Sequence, residues 1–335
     1  MKADDVTVIV PVWNRRELLD RLLDCLAAQS WPPGEILVVD NGSEDGAAEL
    51  AERRGAMVIR MGRNAGFSAA VNRAIRACRT PFLAVVNNDV EPAADWLEQL
   101  CRAAGEHPEA WFVCGKILHA RERDRIDGTF DLMARSGCAW RAGAGRPASV
   151  LSVPRMIRSA PGTAALFRTE LFRRVGLLEE SFESYLEDVD FGVRCACQGL
   201  SGWYAPQARA WHHGSATLGR WNAEVVRRIA RNQVLLVARH YPAELLARYA
   251  WAILAGQGLW GLTAARHGAG WSFLRGKAAG LRLFRSARRA ATRPGAAALA
   301  EILEQGEREV CKIQRETGMD LYWRVYFLLT ASGAI

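Results

Sequence analysis

Four short segments decide the fold: VTVIVPVWN (residues 6–14), EILVVDNGS (35–43), MVIRMGRNAG (57–66) and FLAVVNND (82–89). Each carries a short run of β-branched and aliphatic residues, the pattern of a strand buried on both faces of a parallel sheet. Each run ends in a polar cluster. After Val6–Val12, Leu18, Leu19, Leu22 and Leu26 recur at helical spacing. Asn14 reads as the cap of that helix, with Glu17 completing a capping box. Ser43 opens a second helix, over residues 43–54, and residues 66–79 form a third. Strands at Val6–Val12, Glu35–Asp40, 57–61 and 82–87, alternating with these helices, predict an α/β class: a doubly wound, mostly parallel sheet.

Ligands of such sheets bind outside the carboxyl ends of the strands. Those ends carry Pro11-Val12-Trp13-Asn14, Asp40-Asn41-Gly42-Ser43, Arg63-Asn64-Ala65-Gly66 and Asn87-Asn88-Asp89. The first turn lacks GxGxxG and the chain lacks GxxxxGK[ST], which argues against a dinucleotide cradle and a P-loop. What remains is a set of carboxylates and amides suited to a base, a ribose and a metal-bound diphosphate.

The chain has 335 residues, 50% hydrophobic and 24% charged, enough for two lobes and incompatible with wholesale disorder. Its net charge of +8 is uneven: residues 1–215 hold 26 basic against 28 acidic side chains, and residues 216–335 hold 18 against 8. A basic appendage on a near-neutral body is therefore expected, rather than a nucleic-acid coat. The eight cysteines form no CxxC pair and read as reduced, buried thiols. The N-terminus runs straight into a strand without a secretion signal, so a cytoplasmic location is expected.

Seven segments in order, VTVIVPVWNR, EILVVDNGSEDG, NAGFSAAVNRAI, AVVNNDVEP, PGTAALFRTELFRRVGLLEESF, YLEDVDFGVRCACQG and AWHHGSAT, resemble glycosyltransferase family 2 over residues 5–220. The nearest likeness is to bacterial rhamnosyltransferase-like enzymes of envelope polysaccharides. The resemblance implies an inverting enzyme of the GT-A fold in residues 1–220, with a nucleotide-binding half (1–118) and an acceptor half (119–220). It implies a nucleoside-diphosphate sugar, UDP- or dTDP-linked, as donor and a lipid-linked glycan as acceptor. Asp40 would meet the base or ribose, with Pro11, Asn14 and Asn41 shaping the pocket; the same DNGS also reads as an Asx turn. Arg63, Asn64 and Gly66 would form the loop beside the nucleotide, with a helix N-terminus near Gly66 facing the diphosphate.

Asn87-Asn88-Asp89 stands where the family carries its DxD. Asn87 replaces the first acid, leaving Asp89 as the anionic ligand of Mg²⁺ or Mn²⁺ and Asn88 beside the donor. His212, or His213 if the register differs by one, would be the second ligand. Gly162 and Thr163 would lie under the donor sugar. Acids often open helices simply to complement the dipole, but YLEDVDFGVR matches the family's ED motif. Asp188 is then the general base, Glu187 positions acceptor or donor sugar, and Asp190 is structural. A displacement that inverts needs one such carboxylate, whereas a glycosidase needs two flanking the bond. A polyprenyl-phosphate sugar synthase and a non-catalytic, membrane-associated scaffold are the competing readings. Residues 119–155 have no period and suggest either acceptor contacts or disorder.

Beyond residue 221 the sequence predicts a basic helical region, 221–335, prone to a membrane surface. Ala223–His240 reads as a basic helix. Residues 249–265 are uncharged, but Gly256, Gln257, Gly258 and Gly261 make a membrane span unexpected. Trp271, Leu274, Leu281 and Phe284 recur among arginines, and residues 220–293 hold 14 basic against 2 acidic side chains. That pattern fits a helix lying on an anionic membrane, hence a peripheral position on the inner face of the cytoplasmic membrane. Residues 296–316 read as another helix, and LYWRVYFLL as an apolar docking segment.

Overall fold

The computed structural model describes residues 3–214 and 221–331. They form two compact units, Met1–Phe130 with Gly143–Gly214, and Asp131–Ala142 with Ser215–Ile335. The division departs from the expected boundary at residue 220 in one respect. Residues 131–142, expected in the acceptor half, group with the C-terminal helices.

The first unit is built on the predicted strands. β1 (Val6–Val12) is buried along its whole length between β2 (Glu35–Asp40) and β4 (Phe82–Val86), parallel to both; β3 (Met57–Arg60) extends the sheet beyond β2. Helices α1 (Arg16–Ala27), α2 (Ala47–Arg53) and α3 (Phe67–Ala77) connect them. β5 (Val90–Pro92), α4 (Trp96–Glu106) and β6 (Phe112–His119) follow, then the short β7 (Ile126–Gly128) on β6. β10 (Arg155–Ile157), β11 (Ala164–Arg168), α5 (Thr169–Val175), α6 (Glu187–Ala196) and β12 (Gly202–His212) complete the unit, while β8 (Asp131–Met133) and β9 (Ala139–Arg141) lie in the other. The sheet order is β10-β12-β6-β11-β4-β1-β2-β3, with β11 inserted antiparallel between β4 and β6. The expected doubly wound sheet is present, with a mixed half that the sequence did not specify. Its core packs Leu19, Leu22 and Leu26 of α1 and Trp96, Leu97 and Leu100 of α4 against the sheet.

Two predicted caps are corrected. α1 begins at Arg16 with Arg15 at the N-cap in the left-handed region and no side-chain cap, so Asn14 and Glu17 form no capping box. The second helix begins at Ala47, not Ser43, because residues 43–46 are used in a turn that meets the end of β1.

The long β12 fixes the register of the mixed half. It pairs with β6 with a bulge between Tyr204 and Arg209, and its last residues pair with β5, setting His212 opposite Val90. The bulge brings the Ala208 carbonyl onto Gly115, where any side chain would collide with it. Glycine is required there.

In the second unit, the β8–β9 hairpin accompanies α7 (Ala223–His240), α8 (Ala243–Arg248), α9 (Ala250–Arg266), α10 (Gly270–Ala290), α11 (Ala296–Thr317) and α12 (Leu321–Thr330). Asn222 caps α7 through the Glu224 amide, 2.8 Å away. Gly276 and Gly280 let α10 lie directly on α7, since a Cβ at either would strike the Arg227 or Arg231 carbonyl. Among the described residues no helix is long and apolar enough to cross a membrane. All eight cysteines are free, six of them buried; burial pushes the Cys101 and Cys195 thiols up to about 12, so they are unreactive.

Lys277, on the inner side of α10, donates to Gln233 Oε1 at 2.8 Å and to Gln257 Oε1, beside the Phe273 ring. Burial pushes its pKa down from the ordinary 10.5 to about 8. Below pH 8 the folded protein carries this charging cost in full. Between pH 8 and 10.5 the folded lysine is deprotonated while the unfolded one still binds a proton, so stability rises with pH. Denaturant unfolding should show wild type gaining about 2–3 kcal/mol over this window relative to Lys277→Met.

Candidate active site

The sequence-selected residues all lie in the first unit, at the carboxyl ends of β1, β2 and β4 and on the segments facing them. Asp40, buried at the end of β2, accepts from the Ser43 amide at 3.0 Å, closing the Asx turn. Pro11 is buried within β1 opposite Val39. Asn14, at φ 59°, ties the two strand ends together: its amide donates to Ser43 Oγ (2.7 Å) and its Oδ1 accepts from the Glu44 amide (2.9 Å). Asn88 Nδ2 reaches the Asn14 carbonyl at 3.3 Å.

Asn41 is a clasp for the loop after β3. Its Nδ2 donates to Asn64 Oδ1 (3.0 Å) and the Gly66 carbonyl (3.2 Å), and its Oδ1 accepts from the Ala65 amide (2.9 Å). Asn64 Oδ1 also takes the Gly66 amide at 3.0 Å. Arg63 is exposed on the same loop. Gly42, at φ 81°, lies so close to the Arg63 backbone that no side chain fits. These amides therefore shape the loop, and Arg63 is its outward-facing group.

Gly66, at φ 91°, packs against the Glu183 backbone, and the Ser68 amide donates to the Glu183 carbonyl at 3.1 Å. One amide of the first turn of α3 is thus engaged by the segment leading to α6. In that segment Glu183, Tyr185 and Leu186 all have positive φ (60°, 73° and 68°), conformations that cost energy for non-glycine residues and cluster at working sites.

Glu187 and Asp188 open α6. Asp188 Oδ2 accepts from the Gly162 amide at 3.0 Å and its Oδ1 from the Val189 amide at 2.9 Å. The next residue, Thr163, accepts the Asn87 amide at 2.9 Å through its carbonyl. One short segment thus connects the α6 carboxylate to the end of β4. Glu187 is buried, and both acids border a small apolar pocket lined by Phe67, Gly162, Phe167 and Phe191. Asp190 is fully buried and bonds Arg194, whose other nitrogens hold the Val175 and Leu177 carbonyls. It fastens the preceding segment.

At the end of β4, His212 Nε2 stands 3.2 Å from Asp89 Oδ1, while His212 Nδ1 is 2.8 Å from Asp127 Oδ2. His213 turns away to Glu91 at 2.7 Å, where Arg123 also binds, so of the two histidines His212 is the one beside Asp89. Burial opposes a charge on His212, but hydrogen bonds to Asp127 and Asp89 outweigh it and raise its pKa to about 9. Burial likewise opposes the Asp89 charge, yet His212, aided by Arg15, holds that carboxyl below its ordinary range.

Among the described residues no three His, Cys, Asp or Glu side chains converge as a metal cluster. The Asp89–His212 pair nevertheless fits part of one. Adjacent ligands of an octahedral cation with bonds of 2.0–2.1 Å are about 3 Å apart, and the Nδ1 contact to Asp127 leaves Nε2 to face Asp89. Donor phosphate and water would supply the remaining positions. Sequence reading missed Asp127 and Arg15. The only local sign of Asp127 is a lone acid between Ile126 and Gly128, in a stretch without period.

The family model for glycosyl transferase family 2 matches residues 7–176. The chain belongs to glycosyltransferase family 2. Among its relatives is the Mycobacterium tuberculosis N-acetylglucosaminyl-diphospho-decaprenol L-rhamnosyltransferase, 27% identical over 248 residues that cover 65% of this chain and 79% of that one. Two solved structures share the GT-A fold. The mannosyltransferase PcManGT from Pyrobaculum calidifontis, in complex with GDP-Man and Mn²⁺, has a TM-score of 0.53 at 21% identity, covering 97% of this chain and 86% of that one. GalNAc-T7, with UDP, GalNAc and Mn²⁺, has a TM-score of 0.59 at 15% identity, covering 94% and 58%.

Asn41→Ala removes three hydrogen bonds to the loop after β3, taking their partner from the Ala65 amide and the Gly66 carbonyl. Equilibrium unfolding should show a loss of about 2–4 kcal/mol.

Proposed function

We propose that this family 2 enzyme transfers a sugar, rhamnose or another hexose, with inversion from a UDP- or dTDP-sugar to a lipid-linked bacterial glycan at the inner face of the cytoplasmic membrane. The observation that carries the reading is the link from Asp188 through Gly162 and Thr163 to Asn87, which joins the candidate base to the strand end bearing Asp89. The decaprenol-linked substrate named for the mycobacterial relative supports a lipid-borne acceptor. The nucleotides and Mn²⁺ in the two solved structures support the donor class and a divalent cation.

In this mechanism Pro11, Asn14, Asp40 and the loop clasped by Asn41 hold the base and ribose. Gly162 and Thr163 form the floor under the donor sugar, and Glu187 orients the reacting sugar. Asp89 and His212 would hold Mg²⁺ or Mn²⁺, which supplies positive charge against the diphosphate. Asp188 accepts the proton of the acceptor hydroxyl as its oxygen bonds to the anomeric carbon. The bond from that carbon to the diphosphate breaks, and its electron pair leaves with the nucleotide. The Gly162 and Val189 amides aim the carboxylate and reduce the reorganisation needed at reaction.

Two measurements test these roles. Asp188→Asn should lower kcat by about 10²–10⁴ while nucleotide affinity stays within about threefold of wild type by calorimetry; comparable turnover would remove Asp188 from the base role. Titration of Mn²⁺ into the UDP-bound protein should show Asp127→Asn weakening metal affinity about 10–100-fold, with His213→Ala near wild type.

A further inference from the structure

The α10 helix has two unlike sides. At 3.6 residues per turn, Gly276, Gly280, Phe273 and Phe284 share the side turned to α7, where the two glycines seat the helices backbone to backbone. Phe284 therefore leaves the apolar stripe that the sequence suggested. On the opposite arc, about 120° wide, lie Trp271, Leu274 and Leu281 together with Arg275, Arg282, Arg285 and Arg289. The three apolar side chains are 72%, 56% and 64% exposed, and all four arginines are exposed.

These arginines are unlike their neighbours. Arg288 donates to the Ala238 and Tyr241 carbonyls, whereas none of the four has an ion-pair or hydrogen-bond partner among the described residues. α10 contains no acidic residue. An ordinary solvated face intersperses both signs. A face of tryptophan, leucine and unpaired arginine, bare of acids, matches a surface that is apolar just below a layer of negative charge. A second apolar strip, with Leu254 of α9 and Leu328 of α12 at 67% and 75% exposure, has no such run of arginines.

We infer that the outer face of α10 docks this protein on an anionic bilayer, Trp271, Leu274 and Leu281 entering the headgroup–acyl boundary while Arg275, Arg282, Arg285 and Arg289 contact lipid phosphates. The inference rests on the membrane location proposed above and assigns it to one surface.

The test is flotation of the full chain with vesicles of phosphatidylcholine alone or with phosphatidylglycerol, at low and high salt. Wild type should bind the anionic vesicles, less so at high salt. Neutralising the four arginines to glutamine should cut anionic-vesicle binding by about 1,000-fold. Trp271→Ser with Leu274→Ser and Leu281→Ser should abolish it, because every changed side chain is exposed and folding is spared. Arg308→Gln with Lys312→Gln on α11 removes two exposed positive charges elsewhere, and Leu254→Ser with Leu328→Ser controls for general apolarity; both should bind as wild type. UDP affinity should be unchanged throughout. Retained binding by the α10 variants, or loss in the α9/α12 control, overturns this face but leaves a membrane location standing. No vesicle binding by wild type overturns both. A concentration-dependent dimer that the α10 variants abolish, without vesicle binding, assigns the face to a second copy and overturns the inference.

Discussion

The first unit depends on one constraint: the segment ending in Gly162 and Thr163 must serve two partners at once. Its Gly162 amide holds Asp188 at the start of α6, and its Thr163 carbonyl holds the Asn87 amide at the end of β4. Because β11 begins at the next residue and is zipped to β4 from Ala164 onward, the segment has little freedom. A buried sheet register thereby becomes the placement of a carboxylate. A Cβ at position 162 would meet the Phe67 ring at 3.4 Å, an ordinary contact, so the constraint lies in the backbone bonds of the segment rather than in a missing side chain.

Two further features converge on the same edge. Gly66 and the Ser68 amide fasten the strained 183–186 segment to the start of α3, tying the loop after β3 to the segment that leads into the α6 acids. The bulged β12 then brings His212 to Asp89 from more than a hundred residues away, and Asp127 orients it from the other side. Burial raises the cost of leaving any of these polar groups unpaired, and that cost keeps the arrangement unique.

What the sequence disclosed follows from what is local. The strands β1, β2 and β4 were legible because burial on both faces leaves continuous aliphatic runs, and α7 emerged with its predicted ends. Asp89 and His212 were legible as motif positions. The caps at Asn14 and Ser43 were misread because each side chain found a partner some thirty residues away instead of in its own first turn. Asp127 was invisible because only the pairing of β7 with β6 brings it to His212. Residues 131–142 showed no period because they form a two-stranded hairpin whose packing surface, including Glu307 against Arg135, lies far along the chain.

In the proposed mechanism the β4 end, with Asp89 and His212, forms a cation-dependent nucleoside-diphosphate site. The most direct measurement is thermal unfolding of wild type and Asp89→Ala with UDP, dTDP, GDP or CMP, each with and without Mn²⁺. UDP or dTDP should stabilise wild type only when Mn²⁺ is present, and that stabilisation should be lost in Asp89→Ala. Equal stabilisation of both proteins, or none by any nucleotide, would contradict that mechanism.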